Sequence, residues 1–261
     1  GQAMFVVNEN SNDIDFRVES NDNANAIFVN AATNSVTIGA SGTVSSIAGV
    51  NVLFEANSIF IGDDVSGTTD TAANSVAFGI DALDAVTTGD ANVALGKSTL
   101  SGNTTGGNNI AIGNQALNAP DTESNNLAIG SNALNGAVAG GEQNVAIGNS
   151  SLAALTSADN NVAIGYLAGT AITTGSNNTA IGSQTLQTLT TATRNTAVGT
   201  TALQNATSAL ANTAVGYQSM IAVTEADSNV AIGATSLAAL TTGSNNIGIG
   251  SAACAGFDTE T

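Results

Sequence analysis

The stretch Asn161-Val162-Ala163-Ile164-Gly165 decides the reading of this chain, because the same phrase, with small substitutions, returns along most of its length. Its glycines fall at Gly62, Gly79, Gly96, Gly113, Gly130, Gly148, Gly165, Gly182, Gly199, Gly216, Gly233 and Gly250; ten of the intervals between them are 17 residues and one is 18. A fixed period of that length identifies a stack of small structural units rather than a single globular core. Within each unit, the residues three and one before the glycine are mostly β-branched or Leu, and the residue between them is Ala from Ala77 to Ala231. Alternation of period two predicts a strand. Four residues after the glycine come Leu83, Leu100, Leu117, Leu134, Leu152, Leu186, Leu203, Met220 and Leu237. They predict a second short strand, closed by turn-forming residues such as Thr173-Thr174-Gly175-Ser176-Asn177.

Seventeen residues cannot bury two strands alone, but stacking identical coils pairs every strand in parallel with its equivalents above and below. The expected fold is therefore all-β, a parallel β-solenoid or β-roll. At roughly 4.8 Å per rung, eleven intervals give a rod about 53 Å long. Both faces of the repeated strand are apolar, Val and Ile on one side and Ala on the other. One face fills the coil; the other would leave a stripe of several hundred Å², more than a monomer comfortably exposes. A homotrimer, with three chains packed around a common axis, is the expected remedy. Which face turns inward is open at this stage.

The repeats at Asn161–Gly165 and Asn229-Val230-Ala231-Ile232-Gly233 resemble the head repeats of trimeric autotransporter adhesins, the YadA-like family, over residues 57–261. That resemblance implies a left-handed parallel β-roll, three identical chains and no enzymatic activity, although the 17-residue unit is longer than that family's. Residues 1–56 read as a separate β-strand module. Phe5-Val6-Val7-Asn8-Glu9, Asp15-Phe16-Arg17-Val18-Glu19-Ser20, Ala26-Ile27-Phe28-Val29-Asn30-Ala31 and Val36-Thr37-Ile38-Gly39 resemble a module of bacteriophage long tail fibres. Together these resemblances imply a virion tail fibre, with a bacterial cell-surface, extracellular adhesin as the alternative. The implied partners are two further copies of the chain, a cell-surface glycan or protein receptor, and other fibre or tail proteins.

Composition narrows the chemistry. The 261 residues include no His, no Trp and one Cys, and the net charge is −17. Such a charge repels phosphate backbones and anionic lipid, so neither nucleic acid nor membrane insertion is expected. No run of about 18 apolar residues and no basic, apolar leader occurs, and the segment, which starts at Gly1, reads as a piece of a longer or processed chain. Without His and with a single Cys, zinc sites of ordinary composition are excluded. No catalytic residue, cofactor site or metal site is assigned. Calcium at Asp13, Asp15 or Asp63 lacks a binding-loop motif.

The remaining residues of interest each carry a plain structural reading. The Asn row from Asn92 to Asn246 reads as a ladder of stacked amides. Thr87, Thr104, Thr156, Thr173, Thr190, Thr207, Thr224 and Thr241, eight residues after their glycines, raise ice binding, but the second Thr is adjacent, as in Thr190-Thr191, so a strand would point the pair to opposite faces. Asp63-Asp64 and Asp81 with Asp84 could be glycosidase carboxylates, yet the repeats supply only Tyr166 and Tyr217 as aromatic platforms; solvated charge is the default. Arg17, amid Asp13, Asp15 and Glu19, predicts an ion pair. Cys254 occupies the leucine slot and is expected to be a small buried hydrophobe. The Asn-x-Ser/Thr sequences at Asn103, Asn149, Asn177 and Asn205 follow from composition. Tyr166 and Tyr217, three coils apart and directly after repeat glycines, are the expected contact surface.

Overall fold

The structure, a computed structural model, describes residues 72–257 apart from 121 and 137–139; before residue 72 it describes strand backbones between residues 16 and 62. Asp13, Asp15 and Asp63-Asp64 lie outside the described residues, and only the backbone of Arg17 is described.

Strands β1 (Phe16–Ser20), β2 (Asn23–Asn30) and β3 (Ser35–Thr37) form an antiparallel sheet. Next, β4 (Val44–Ile47), β5 (Val50–Glu55) and β6 (Ser58–Gly62) pair antiparallel, and β6 hands over to a parallel ladder. That ladder continues through β7 (Val76–Gly79), β8 (Val93–Leu95), β9 (Ile110–Ile112), β10 (Leu127–Ile129) and β11 (Val145–Ile147). It then runs through β12 (Val162–Ile164), β13 (Thr179–Ile181), β14 (Thr196–Val198), β15 (Thr213–Val215), β16 (Val230–Ile232) and β17 (Ile247–Ile249). The result is one 14-stranded sheet whose order follows the chain. Val145 pairs with Val162 and Ala146 with Ala163, so like stands on like in neighbouring coils. No helix occurs among the described residues. The chain is a parallel β-solenoid of coils about 17 residues long.

The Ala row points inward. Ala77, Ala94, Ala111, Ala128, Ala146 and Ala163 are all buried, together with Leu83, Leu100, Leu117 and Leu134. The larger Val and Ile side chains on either side of each Ala point out. This inverts the usual order of size because a coil so short encloses little volume. The interior already holds large side chains four and seven residues past the glycine, such as Leu186 and Leu189, which leaves only a methyl's room beneath the strand.

The expected second strand is absent, and a left-handed turn takes its place. Leu83, Leu100, Leu117, Leu152, Leu186, Leu203 and Leu237 all have φ between 44° and 54°, a conformation that non-Gly residues seldom adopt. Each coil makes two tight turns here. In one, the amide three residues past the glycine donates back to it (Ala168 to Gly165, 3.3 Å); in the other, the same happens seven and four residues past (Leu189 to Leu186, 3.4 Å). Between these turns the leucine amide reaches the next coil, as from Leu117 to the Ala133 carbonyl at 2.9 Å. Side chains still alternate in and out, which is why the pattern imitates a strand. The left-handed conformation persists because interior packing and the inter-coil bonds over-determine it.

The repeat glycine turns the chain out of the sheet. Gly165 has φ 140°, and a Cβ there would stand 2.6 Å from the carbonyl carbon of Gly182 in the next coil. Only hydrogen fits at that approach.

Candidate functional site

Repeated polar side chains could either be satisfied within the solenoid or be offered outward, and the hydrogen bonds separate the two cases. The Asn ladder is internal. Asn178 accepts through Oδ1 from the Asn195 amide at 3.0 Å, and donates through Nδ2 to the Ala192 carbonyl at 2.9 Å. The same pair of bonds repeats at Asn195 and Asn212, and these side chains are buried. Each Asn thus ties its own coil to two points on the next one, and the ladder is a fold device.

The Thr column is also committed. Thr87, Thr156 and Thr173 donate their hydroxyls to the carbonyls of Thr104, Thr173 and Thr190, at 3.0, 3.0 and 3.1 Å. A hydroxyl that donates to its own scaffold is a poor element of an ice-matching array. A third ladder escaped the sequence reading. Asp90, Ser124, Asp159, Ser176, Asp227 and Ser244, eleven residues past their glycines, each accept a backbone amide one coil earlier, as Asp159 does from Glu142 at 2.8 Å. The signal was present as Asp or Ser at a constant offset, but its alternation with Gly107, Thr193 and Leu210 hid it.

The acidic residues do not assemble a reaction centre. Asp81 accepts from the Ser98 hydroxyl at 3.4 Å, and Asp84 is exposed. Among the described residues no group of three or more His, Cys, Asp or Glu could hold a metal ion, and no helix is long and apolar enough to cross a membrane. Glu123 is buried and accepts the Gly140 amide at 2.6 Å, beside the single 18-residue coil. Asn103 is buried, so its glycosylation sequence is inaccessible as folded. Cys254 is exposed, contrary to expectation. The leucines of its column are covered by the following coil, and no described coil follows Cys254.

Two surfaces remain outward. One is the sheet face, where two columns of branched side chains stand either side of the buried Ala row: Val76, Val93, Ile110, Leu127, Val145 and Val162 in one, Phe78, Leu95, Ile112, Ile129, Ile147 and Ile164 in the other. Phe78 is 52% exposed and Leu95 45%; the rest are half-buried or more open. From Val76 to Ile164 the two columns, about 7 Å apart, span five rungs, about 24 Å, and cover on the order of 170 Å² in projection before side-chain relief is counted; beyond them Thr179, Thr196 and Thr213 interrupt the first column.

The other surface is the column directly after the repeat glycines, where Tyr166 is 56% exposed and Tyr217 55%. Their backbones are held by the ladder: the Tyr166 carbonyl accepts from Gln184 and the Tyr217 carbonyl from Thr235, both at 2.8 Å.

The geometry defines the class as a repeat protein, a parallel β-solenoid whose polar ladders bond its own scaffold and whose outward surface includes an apolar sheet face and a tyrosine-bearing edge. Comparison with protein-family models, curated proteins and solved structures returns no match.

Proposed function

We propose that this chain is a segment of a homotrimeric, non-catalytic fibre that positions or mediates attachment to a cell surface. The observation that carries the reading is the outward sheet face. It is a stripe of outward apolar side chains from Val76 to Ile164 that repeats at the same two positions in every rung, a regular apolar surface of the kind a partner covers. A second and third copy of the same chain, laid parallel, would meet it rung for rung. The 17-residue repeat favours reach over enclosure, since no coil differs enough from its neighbours to form a pocket with convergent polar groups. Attachment then arises from many weak contacts along the rod and across three chains.

The resemblance of residues 57–261 to YadA-like heads and of the N-terminal strands to tail-fibre modules supports a virion fibre, with a bacterial surface adhesin as the second setting. The test is to incubate the purified protein with bacterial cells and with their extracted surface polysaccharide, and to follow retention and chain length together. Retention without shortening is expected. Oligosaccharide release that disappears in Asp81→Asn or Asp84→Asn would overturn the non-catalytic reading in favour of a polysaccharide-cleaving tailspike.

A further inference from the structure

We infer that the edge running from Tyr166 to Tyr217 is a binding strip for an extended, linear polysaccharide lying parallel to the solenoid axis; this rests on the attachment reading above and gives it a site and a ligand class. Three observations converge. First, the two tyrosines are equivalent in their coils, each one residue past a glycine bend. They project from the same column, each more than half exposed, with their backbones pinned by 2.8 Å inter-coil bonds. Three rungs separate them, about 14 Å.

Second, the two rungs between carry small polar groups, Ser183 and Thr200 in the same column and Gln184 in the next, and Gln218 stands directly beside Tyr217. Among the described residues, the side chains of these four make no hydrogen bond. That distinguishes the strip from the Asn, Thr and Asp/Ser ladders, whose repeated groups are tied into the scaffold. Free donors and acceptors between two rigid aromatic platforms are the arrangement a sugar chain uses: apolar ring faces stack on the tyrosines while hydroxyls bond the polar rungs between. Third, the ring-to-ring advance of an extended β-linked glycan is close to one rung of a β-ladder, so sugars stacked on Tyr166 and Tyr217 would be three linkages apart. The intervening rings would then face Ser183 and Thr200. The strip is shallow and open, which suits a polymer bound along its side rather than a small molecule bound inside. Three copies per fibre would raise avidity without a strong single contact.

The chain offers a direct reporter, because these are its only two tyrosines and it has no tryptophan. Tyrosine emission of the intact protein is titrated with linear β1,4-linked glucan, N-acetylglucosamine and mannan oligomers of two to six sugars, and with O-antigen polysaccharide extracted from Gram-negative cells. At least one of these glycans should change the emission, with affinity rising steeply up to four sugars, the length that spans both rings, and little beyond. Tyr166→Ala and Tyr217→Ala should each weaken binding by about ten-fold or more, equivalent to about 1.4 kcal/mol, while Tyr166→Phe and Tyr217→Phe keep most of it. Both positions are exposed, so melting of all four variants should match the parent and exclude a folding artefact.

The strip is refuted if no glycan perturbs the tyrosines, if affinity does not depend on length, or if both alanine variants bind as the parent does. Response to a surface protein alone would refute it too. Retention of the variants on whole cells, scored in parallel, separates the two claims: undiminished retention by both alanine variants removes the strip and leaves the fibre reading standing.

Discussion

Replacing Asn178 with Ala should open the solenoid locally, and the structure supplies the magnitude. Asn178→Ala leaves two buried backbone groups without partners, the Asn195 amide and the Ala192 carbonyl, which the side chain meets at 3.0 and 2.9 Å. An orphaned buried donor or acceptor costs about 1–3 kcal/mol, so the pair costs about 2–6 kcal/mol. The two large side chains buried in the coil, Leu186 and Leu189, contribute about 1.5–3 kcal/mol each, so the loss is comparable to what that coil gains from its largest apolar groups. Because each coil touches only its neighbours, damage should concentrate between residues 161 and 212. Hydrogen exchange followed by mass spectrometry measures this: amides in that window should exchange roughly 30-fold faster or more, the equivalent of the lower 2 kcal/mol, while those around 93–112 stay as in the parent. Asn177→Gly is the control, since Asn177 is exposed with φ 63° and glycine accepts that conformation. Exchange in the window that stays within about threefold of the parent would refute the ladder as the element holding the coils together.

Three further outcomes follow from the same packing. Gly165→Ala should cost about 2–5 kcal/mol per chain, from positive φ and from collision with the Gly182 carbonyl, and thermal melting checks it. Asn103→Val should stabilise by about 1–2 kcal/mol: Asn103 is buried with an unpartnered Oδ1 in a column otherwise filled by Val86, Leu155 and Leu189, and the Gly106 carbonyl it serves keeps its bond from Asn92 at 2.8 Å. A lowered denaturation midpoint would show that Oδ1 has a partner after all. Ile164→Asp, on the outward face, should separate the chains of the fibre while leaving each coil folded, since a charge there is buried only by a partner; sedimentation reads the dissociation and circular dichroism the retained β-signal.

The period, the parallel stacking and the role of the Asn row were legible because stacking converts a sequence register directly into a spatial one: Asn161, Asn178 and Asn195 can only lie above one another. Orientation was not legible. Val162-Ala163-Ile164 is apolar on both sides, and hydrophobicity alone would bury the larger pair; the limited volume of a 17-residue coil puts Ala163 inside instead. The turn at Leu186 was hidden for a related reason, since a run with two left-handed residues alternates its side chains as a strand does. Cys254 misled because equivalence of position implies equivalence of burial only where a further coil lies on top. At the proposed binding edge, the sequence displayed Tyr166 and Tyr217, but the unspent polar groups of Ser183, Gln184, Thr200 and Gln218 emerge only once every other ladder's hydrogen bonds have been traced.

The central claim, a fibre in which three chains cover one another's sheet faces, is tested most directly by the mass of the protein in native solution. One chain has a mass of 25.4 kDa. A single species of three times that mass, 76.2 kDa, should persist on dilution through the micromolar range. A stable 25.4 kDa monomer with its β-signal intact would contradict it, because the stripe from Val76 to Ile164 would then stand in water with nothing to cover it.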